Sequence, residues 1–215
     1  MFKDVQAAIF DLDGTLIDSM WIWDEINITY LESKGAKRPS DLEEKINHLS
    51  FKQTAQYFKE NFNLKESTDE IVKEINDLAY DNYLNKARLK PGAKKLLSYL
   101  KSNGIKLALA TSNSSPLLDI ALESNDIKDF FDNITTTNEV TRGKNFPDVY
   151  LLAAKRLGVT PDKCIVFEDI PAAVEGAKAA GMKVVAVYDE HSSKHREKLI
   201  NSADKYIEDF TELAV

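Results

Sequence analysis

The chain has 215 residues and a formal net charge of −7, from 28 basic and 35 acidic side chains. This length is enough to bury a sizeable core, and the negative balance argues against nucleic acid or an anionic membrane as a partner. The single cysteine, Cys164, excludes an internal disulfide and fits a reducing cytoplasm, where we expect the protein to be. No apolar run approaches the roughly 20 residues that span a bilayer, and the N-terminus does not have the pattern of a signal peptide.

The first predicted strand ends in two carboxylates. Residues 7–10 are apolar and predict a buried parallel strand, and Asp11 and Asp13 follow it directly. While the chain stays extended, alternation aims both carboxylates the same way, and Gly14 then permits a sharp turn close to a ligand. An acidic turn is the ordinary alternative. Two acids at the end of a buried strand are costly, however, unless a cation or a reaction needs them.

Residues 19–86 carry helical periodicity and no convincing strand. The faces of two predicted helices are formed by Phe51, Ala55, Phe58 and Phe62, and by Ile71, Ile75, Leu78 and Asn82 with Ala79 beside them. We interpret this region as a helical cap inserted after the first strand, with linkers near residues 18–19 and 86–88. Both linkers fall beside the two carboxylates, so the cap is placed to close over them.

From about residue 87 onward, helical patterns alternate with short apolar runs. Strands are predicted at residues 105–110, 164–167 and 183–187, and an edge strand at 205–207. The helices between them stop at Gly104, Gly158 and Gly181. This texture predicts an α/β fold with a doubly wound, Rossmann-like parallel sheet. The expected division is a core of residues 1–18 plus 87–215 and a cap of residues 19–86.

Polar side chains recur at the carboxyl ends of the predicted strands, where open parallel sheets bind ligands. They are Thr111, Ser112 and Asn113 after the second predicted strand, Lys144 in a later loop, and Glu168 and Asp169 after the third. A helix cap explains the first group when it is taken alone, and a solvated lysine explains Lys144. Their joint occurrence at successive strand ends favours a single site.

This set suits phosphoryl transfer, which needs a nucleophile, a proton donor for the leaving group and positive charge around the transferred oxygens. Asp11 can attack phosphorus to give an aspartyl-phosphate, while Asp13 protonates the leaving oxygen and later deprotonates water. Asp11 and Asp169 are suitable ligands for Mg²⁺.

The remaining groups suit the phosphate itself. The Thr111 hydroxyl and the amides of Ser112 and Asn113 can bind phosphate oxygens at a helix N-terminus. Lys144 can neutralise the charge of the phosphate and of the nucleophile.

These motifs resemble those of the haloacid-dehalogenase-superfamily phosphatases with a helical cap, in the β-phosphoglucomutase-like subgroup. Residues 10–16 resemble the first motif of the family, 110–113 the second, 143–144 the third and 167–169 the fourth. The resemblance covers essentially the whole chain. It implies that Mg²⁺ is bound by Asp11, the backbone carbonyl of Asp13 and Asp169, with Glu168 beside it.

Two cap positions depart from the mutases of that subgroup. Trp23 stands where the mutases carry a histidine, and residues 50–52 lie near the place of their arginine. Because a mutase must hold a sugar bisphosphate at both ends, this departure favours a phosphatase. Our candidate substrate contacts in the cap are Trp23, by stacking on a sugar or base, and His48 or Lys52 as substitute cations.

The sequence therefore predicts a Mg²⁺-dependent phosphatase of a small phosphorylated metabolite, with a sugar phosphate as the leading candidate. We expect a monomer or weak homodimer. One alternative is a mutase of the β-phosphoglucomutase type, in which a sugar hydroxyl rather than water accepts the phosphoryl group. Another is a non-catalytic binding module, which is disfavoured because the complete set of reactive side chains is present.

Overall fold

The computed structural model describes residues 1–113 and 115–213, and a parallel sheet runs through its centre. The strands of the described residues are β1 (Ala7–Phe10), β2 (Ile17–Asp18), β3 (Arg88–Leu89), β4 (Lys106–Thr111), β5 (Asn133–Thr136), β6 (Cys164–Glu168), β7 (Lys183–Val187) and β8 (Lys205–Ile207). Six of these form one sheet in the order β5-β4-β1-β6-β7-β8, and all its pairs are parallel. The predicted α/β class is confirmed.

The sheet is covered on both faces because its central strand is apolar throughout. Ala8 and Phe10 of β1 belong to one hydrophobic cluster, and Ala7 and Ile9 to a second cluster on the opposite face. The helices outside residues 19–86 are α5 (Ala93–Ser102), α6 (Leu117–Ser124), α7 (Asp148–Leu157), α8 (Pro171–Ala179) and α9 (Arg196–Ser202). The predicted strand at residues 205–207 lies at one edge of the sheet, as expected.

The opposite edge strand, β5, was not predicted. Its sequence Asn-Ile-Thr-Thr is mostly polar, and it pairs only with β4 within the described sheet. A short, half-exposed edge strand needs no apolar run, so hydrophobic patterning does not reveal it.

Residues 19–86 form the helices α1 (Met20–Ser33), α2 (Leu42–Ile46), α3 (Phe51–Asn61) and α4 (Thr68–Asn85), called the cap helices below. The chain enters and leaves this region through β2 and β3, which pair antiparallel. Pairing of the two connections was not predicted, because each strand is only two residues long. None of the helices in the described part of the chain combines the length and apolarity required to cross a membrane.

The buried face of α4 differs from the prediction in its second half. Ile71, Ile75, Ala79 and Tyr83 are buried at a strict spacing of four, whereas Leu78 is 41% exposed. The helix packs against α1 and α3 on the cap side and against α6 on the other. Contact with three helices turns the buried stripe one residue away from the predicted Leu78 and Asn82, and this places Tyr83 in the interior.

Candidate active site

Three carboxylates meet where β1 and β6 end. The three residues are Asp11, Glu168 and Asp169, and all are buried. One carboxylate oxygen of each lies within 4.8 Å of the corresponding oxygens of the other two. The backbone N–H of Asp11 donates to the carbonyl of Phe167 at 3.0 Å, which extends the pairing of β1 with β6 by one residue. Adjacent parallel strands therefore deliver the three acids to one point.

Lys144 lies in the middle of this acidic group. Its Nζ forms ion pairs with the carboxylate of Asp11 and, at 2.8 Å, with Oε1 of Glu168, to which the Tyr150 hydroxyl also donates at 2.7 Å. Burial lowers the pKa of Lys144, but the negative charges of Asp11 and Glu168 and the hydrogen bonds to them raise it by more. The lysine is therefore charged, and it is paired with the proposed nucleophile.

The loop that carries Lys144 is fixed on two sides by close backbone contacts. The Lys144 N–H donates to the His48 carbonyl at 3.0 Å. A Cβ on Gly143 would lie 2.1 Å from that same carbonyl oxygen, and a Cβ on Gly176 would lie 2.0 Å from the Lys144 carbonyl oxygen. Glycine at both positions lets the loop pack between a cap segment and α8.

One lysine does not balance three buried acids. Burial raises the pKa of Asp11 to about 7 although Lys144 opposes the rise, and burial followed by the charge of Asp11 raises the pKa of Asp169 well above its usual range. Oε2 of Glu168 is buried and has no hydrogen-bond partner among the described residues. An all-oxygen donor set with excess negative charge fits a divalent cation such as Mg²⁺.

The loop after β1 brings its backbone against this cluster. The Thr15 hydroxyl donates to Oδ1 of Asp169 at 2.9 Å. Gly14 has a φ of +78°, and a Cβ there would lie 2.4 Å from Oδ2 of Asp169. The approach of the first loop to Asp169 therefore depends on glycine.

Asp13 lies apart from the three acids and is surrounded by neutral donors. Its Oδ1 accepts a hydrogen bond from the Ser19 hydroxyl at 2.6 Å and another from the Tyr83 hydroxyl. Its Oδ2 accepts from the side-chain amide of Asn113 at 2.8 Å. Burial, followed by the charge of Asp13, raises the pKa of Tyr83 well above its usual value, so this phenol stays protonated.

The turn after β4 differs from the predicted helix N-terminus. The Asn113 N–H donates to Oγ1 of Thr111 at 3.0 Å, and α6 begins only at Leu117, so these amides lie in a loop. The Ser112 hydroxyl oxygen is buried and has no hydrogen-bond partner among the described residues. Thr111, Ser112 and Asn113 nevertheless all line the cavity beside Asp11.

This cavity separates the carboxyl edge of the sheet from the cap helices. Its empty volume is about 870 Å³, including the part open to solvent. The lining residues on the sheet side are Asp11, Asp13, Thr111, Ser112, Asn113, Asp169, Ile170 and His191. Those on the cap side are Met20, Trp23, Asp24, Asn27, Ile46, Asn47, Leu49, Phe51, Thr54 and Ile75.

The cap wall is apolar or uncharged except for one acid. Among the described residues that line the cavity there is no lysine or arginine. The basic group in the described lining is His191 on the sheet side, whose Nδ1 lies 3.1 Å from Oδ2 of Asp24. Oδ1 of Asp24 is also bound by Arg38 at 2.5 Å. Among the described lining residues, a second anionic group of a ligand would therefore find no lysine or arginine.

Of the three predicted cap contacts, Trp23 lines the cavity, and His48 and Lys52 are not among the described lining residues. Lys52 is exposed to solvent. The half-buried His48 approaches Asn47 with its ring, and burial lowers its pKa, while its carbonyl holds the Lys144 loop. The structure shows a contact of His48 through its backbone, and the role predicted for its side chain stays a prediction.

Comparison with known proteins agrees with the motifs. Residues 8–187 match the family model of the haloacid dehalogenase-like hydrolases. The chain belongs to this family. Within it, the chain is 32% identical over 179 residues to the phosphorylated carbohydrates phosphatase of Thermotoga maritima, an alignment that covers 83% of each chain. It is 30% identical over 202 residues to a probable pseudouridine-5'-phosphatase of Drosophila melanogaster, covering 91% of this chain and 87% of that one.

A solved structure supports the same family membership. A putative beta-phosphoglucomutase from Thermotoga maritima superposes with a TM-score of 0.69 at 30% identity, covering 94% of both chains. The haloacid dehalogenase-like hydrolase described here is thus an enzyme of the phosphatase type, with relatives in the mutase-like subgroup.

The site also contains residues that were not predicted. Ser19 and Tyr83 contact Asp13, Thr15 contacts Asp169, and Tyr150 contacts Glu168. Thr15 and Ser19 lie within eight residues of Asp11 in the sequence and could have been suspected from that proximity. The two tyrosines are distant in sequence and only the packing of α4 and α7 reveals them.

Proposed function

We propose that this enzyme is a Mg²⁺-dependent phosphatase that hydrolyses the monophosphate ester of a small metabolite through an aspartyl-phosphate on Asp11. Sugar phosphates are the leading substrate class. The observation that carries the proposal is the placement of Asp11, which lines the cavity, pairs with a buried lysine and belongs to a cluster of acids that fits a cation. A carboxylate in that position can act as a nucleophile toward phosphorus.

In the first step, a carboxylate oxygen of Asp11 bonds to phosphorus while the bond from phosphorus to the leaving oxygen breaks. Lys144 holds the attacking carboxylate in place and offsets its charge. Mg²⁺ would be held by Asp11, Asp169 and the backbone carbonyl of Asp13, and it would neutralise charge on the phosphate. Ser112 lines the same cavity, and its hydroxyl, which has no partner among the described residues, is a candidate donor to a phosphate oxygen.

Asp13 would carry the proton in both steps. It donates a proton to the leaving oxygen as the ester bond breaks. It then takes a proton from the water molecule that attacks phosphorus, and this attack releases inorganic phosphate and restores Asp11. Its carboxylate lines the cavity and lies outside the cluster of three acids, so it is free to exchange protons with the substrate.

The cap side of the cavity favours a substrate with one phosphate. Its lining combines aromatic and aliphatic side chains with the uncharged polar groups of Asn27, Asn47 and Thr54. The described lining offers no lysine or arginine to the second anionic group of a bisphosphate, so water is favoured over a phosphorylated sugar as the phosphoryl acceptor. The relatives named for phosphorylated carbohydrates and for pseudouridine 5'-phosphate support a sugar-bearing ester.

We also propose that residues 19–86 act as one cap over a core of residues 1–18 plus 87–215. The paired strands β2 and β3 join the two parts beside Asp13. Movement about this ribbon would open and close the cavity.

The test is a screen for phosphate release with Mg²⁺ over hexose, pentose, polyol and nucleotide monophosphates. Conversion of β-glucose 1-phosphate to glucose 6-phosphate is measured in parallel with a sugar bisphosphate primer. We expect release of inorganic phosphate and little isomerisation. Isomerisation that is much faster than phosphate release would show that the enzyme is a mutase.

A further inference from the structure

The side chain of Asp13 is held from the cap as well as from the core. The Tyr83 hydroxyl on α4 donates to Oδ1 of Asp13, 70 positions earlier in the chain. The side-chain amide of Asn113 donates to Oδ2 of Asp13 at 2.8 Å and contacts the Tyr83 oxygen at 3.2 Å. The three side chains close a ring of hydrogen bonds whose members come from the loop after β1, the loop after β4 and the last turns of α4.

Tyr83 is not placed to contact a substrate directly. It is fully buried, and it is not among the described residues that line the cavity. Its ring packs edge-on against Trp23, with ring centroids 5.8 Å apart, and Trp23 forms the cavity wall. Any effect of the Tyr83 hydroxyl on the reaction must therefore pass through Asp13 or Asn113.

A proton-transferring carboxylate has to be held in one orientation, because general acid–base catalysis requires hydrogen-bond reach to the reacting oxygen. Ser19 and Tyr83 both bind Oδ1, while Asn113 binds Oδ2. Donors on both oxygens prevent free rotation of the carboxylate. Ser19 lies in the linker after β2 and Asn113 in the loop after β4, whereas Tyr83 belongs to the buried stripe of α4.

We propose that Tyr83 is a positioning residue, whose hydroxyl holds the carboxylate of Asp13 in the orientation required for proton transfer. This inference rests on the proposed function of Asp13 as acid and base. It makes the cap helix α4 a direct contributor to the chemical step, in addition to any role of the cap in binding the substrate.

The proposal makes a prediction about leaving groups. A sugar alkoxide is a poor leaving group and needs a proton from Asp13 as the ester bond breaks, whereas p-nitrophenolate leaves readily as an anion. Loss of the Tyr83 hydroxyl should therefore lower kcat/KM, which covers the steps up to phosphoryl transfer to Asp11, more for a sugar phosphate than for p-nitrophenyl phosphate. Water attack on the aspartyl-phosphate is common to both substrates and does not enter this comparison.

The experiment compares Tyr83→Phe with the matched control Tyr30→Phe, using the full chain with Mg²⁺. Tyr30 is also a fully buried cap tyrosine, and its ring stacks on Phe58 at 6.0 Å. We expect kcat/KM of Tyr83→Phe to fall roughly 10- to 100-fold on the best sugar phosphate, the range for loss of a hydrogen bond to a charged group. The kcat/KM on p-nitrophenyl phosphate should fall much less, and Tyr30→Phe should leave the ratio of the two kcat/KM values at its wild-type value.

A double-mutant comparison checks that the effect passes through Asp13. Adding Tyr83→Phe to an Asp13→Asn background should cause no further selective loss on the sugar phosphate. A wild-type ratio of the two kcat/KM values in Tyr83→Phe would overturn the proposal, and so would an equal loss of kcat/KM on both substrates accompanied by a raised KM. If wild-type protein releases phosphate from no ester in the screen, the failure lies in the proposed function and not in the role of Tyr83.

Discussion

The two walls of the cavity differ in how they are built. The sheet side is charged, with Asp11, Glu168, Asp169 and Lys144 delivered by the ends of β1 and β6 and by one glycine-flanked loop. The cap side is mostly apolar and is delivered by the faces of helices. Under the proposed function, the sheet side would supply the groups that react with any phosphate ester, whereas the cap side would distinguish one leaving group from another.

This difference has an experimental consequence. A substitution on the sheet side should affect turnover of every substrate, because each ester carries the same phosphate. A substitution on the cap side should change turnover of some esters and leave small, activated esters nearly unaffected.

The largest effect is expected from Asp11→Asn. An amide is a poor nucleophile and a weaker metal ligand, so phosphate release should fall to background on every ester in the screen. Asp18→Asn, which changes an exposed acid on β2, is the matched control and should retain activity. Substantial turnover by folded Asp11→Asn protein, judged by circular dichroism, would contradict the covalent mechanism.

Asp169→Ala should remove metal binding on the same side. We expect loss of turnover, or a much higher Mg²⁺ requirement, and loss of the rise in melting temperature that Mg²⁺ gives to the wild type. Glu175→Ala, an exposed acid on α8 that pairs with Lys198, should leave both readouts unchanged. Full wild-type activity in excess chelator would rule out the metal assignment.

The stability of the metal-free protein should depend on pH through Asp11. Burial raises its folded pKa to about 7, so between about pH 4 and 7 the folded state binds more protons than the unfolded state and stability falls as pH rises. Asp11→Asn lacks this titration. Its free energy of unfolding relative to wild type should therefore increase over that window. The Asp11 titration alone contributes about 4 kcal/mol at most, and loss of the Asp11 charge, which raises the pKa of Asp169, acts in the same direction.

Urea unfolding in chelator at several pH values measures this difference. A cost of the substitution that does not depend on pH shifts the whole stability curve of the variant and leaves its slope unchanged, so the slope with pH is the informative quantity. Parallel stability curves for the two proteins across the window would contradict a raised pKa of Asp11.

The smallest effects are expected at the cap. Thr54→Val keeps the shape of a lining side chain and removes its hydroxyl, so we expect a change of roughly 2- to 10-fold in kcat/KM for the preferred substrate. Turnover of p-nitrophenyl phosphate should be nearly unchanged. Lys52→Ala, two positions earlier on α3 and outside the described lining, should have no effect on either substrate. A larger loss for Lys52→Ala than for Thr54→Val would contradict this assignment of the cap wall.

The same difference explains what could be predicted from the sequence. The carboxyl ends of neighbouring parallel strands meet whatever the side chains are, so finding the strands was enough to bring Asp11 and Asp169 together. Lys144 could be assigned to the same site because its loop lies between two predicted strands and its positive charge is opposite to that of the two acids. Packing details such as the glycine contacts at Gly143 and Gly176 were not needed for that step.

On the cap side, prediction depends on the angular phase of each helix. The apolar pattern of α4 fits two stripes that differ by one residue, and only contact with α1, α3 and α6 selects the stripe that buries Tyr83. The hydrogen bond from the Lys144 N–H to the His48 carbonyl could not be predicted for the same reason. The ribbon of β2 and β3 depends on pairing between residues about 70 positions apart, which patterning does not detect.

The covalent step on Asp11 is tested most directly by trapping the intermediate. In Asp13→Asn protein, p-nitrophenyl phosphate can still transfer its phosphoryl group because its leaving group needs no proton, but water attack lacks its base and should slow by roughly 10²- to 10⁴-fold. Rapid quenching followed by peptide mass spectrometry should then find one phosphoryl group on Asp11, formed together with a burst of p-nitrophenol. Turnover without a phosphorylated protein, or with the phosphoryl group on another residue, would contradict the account.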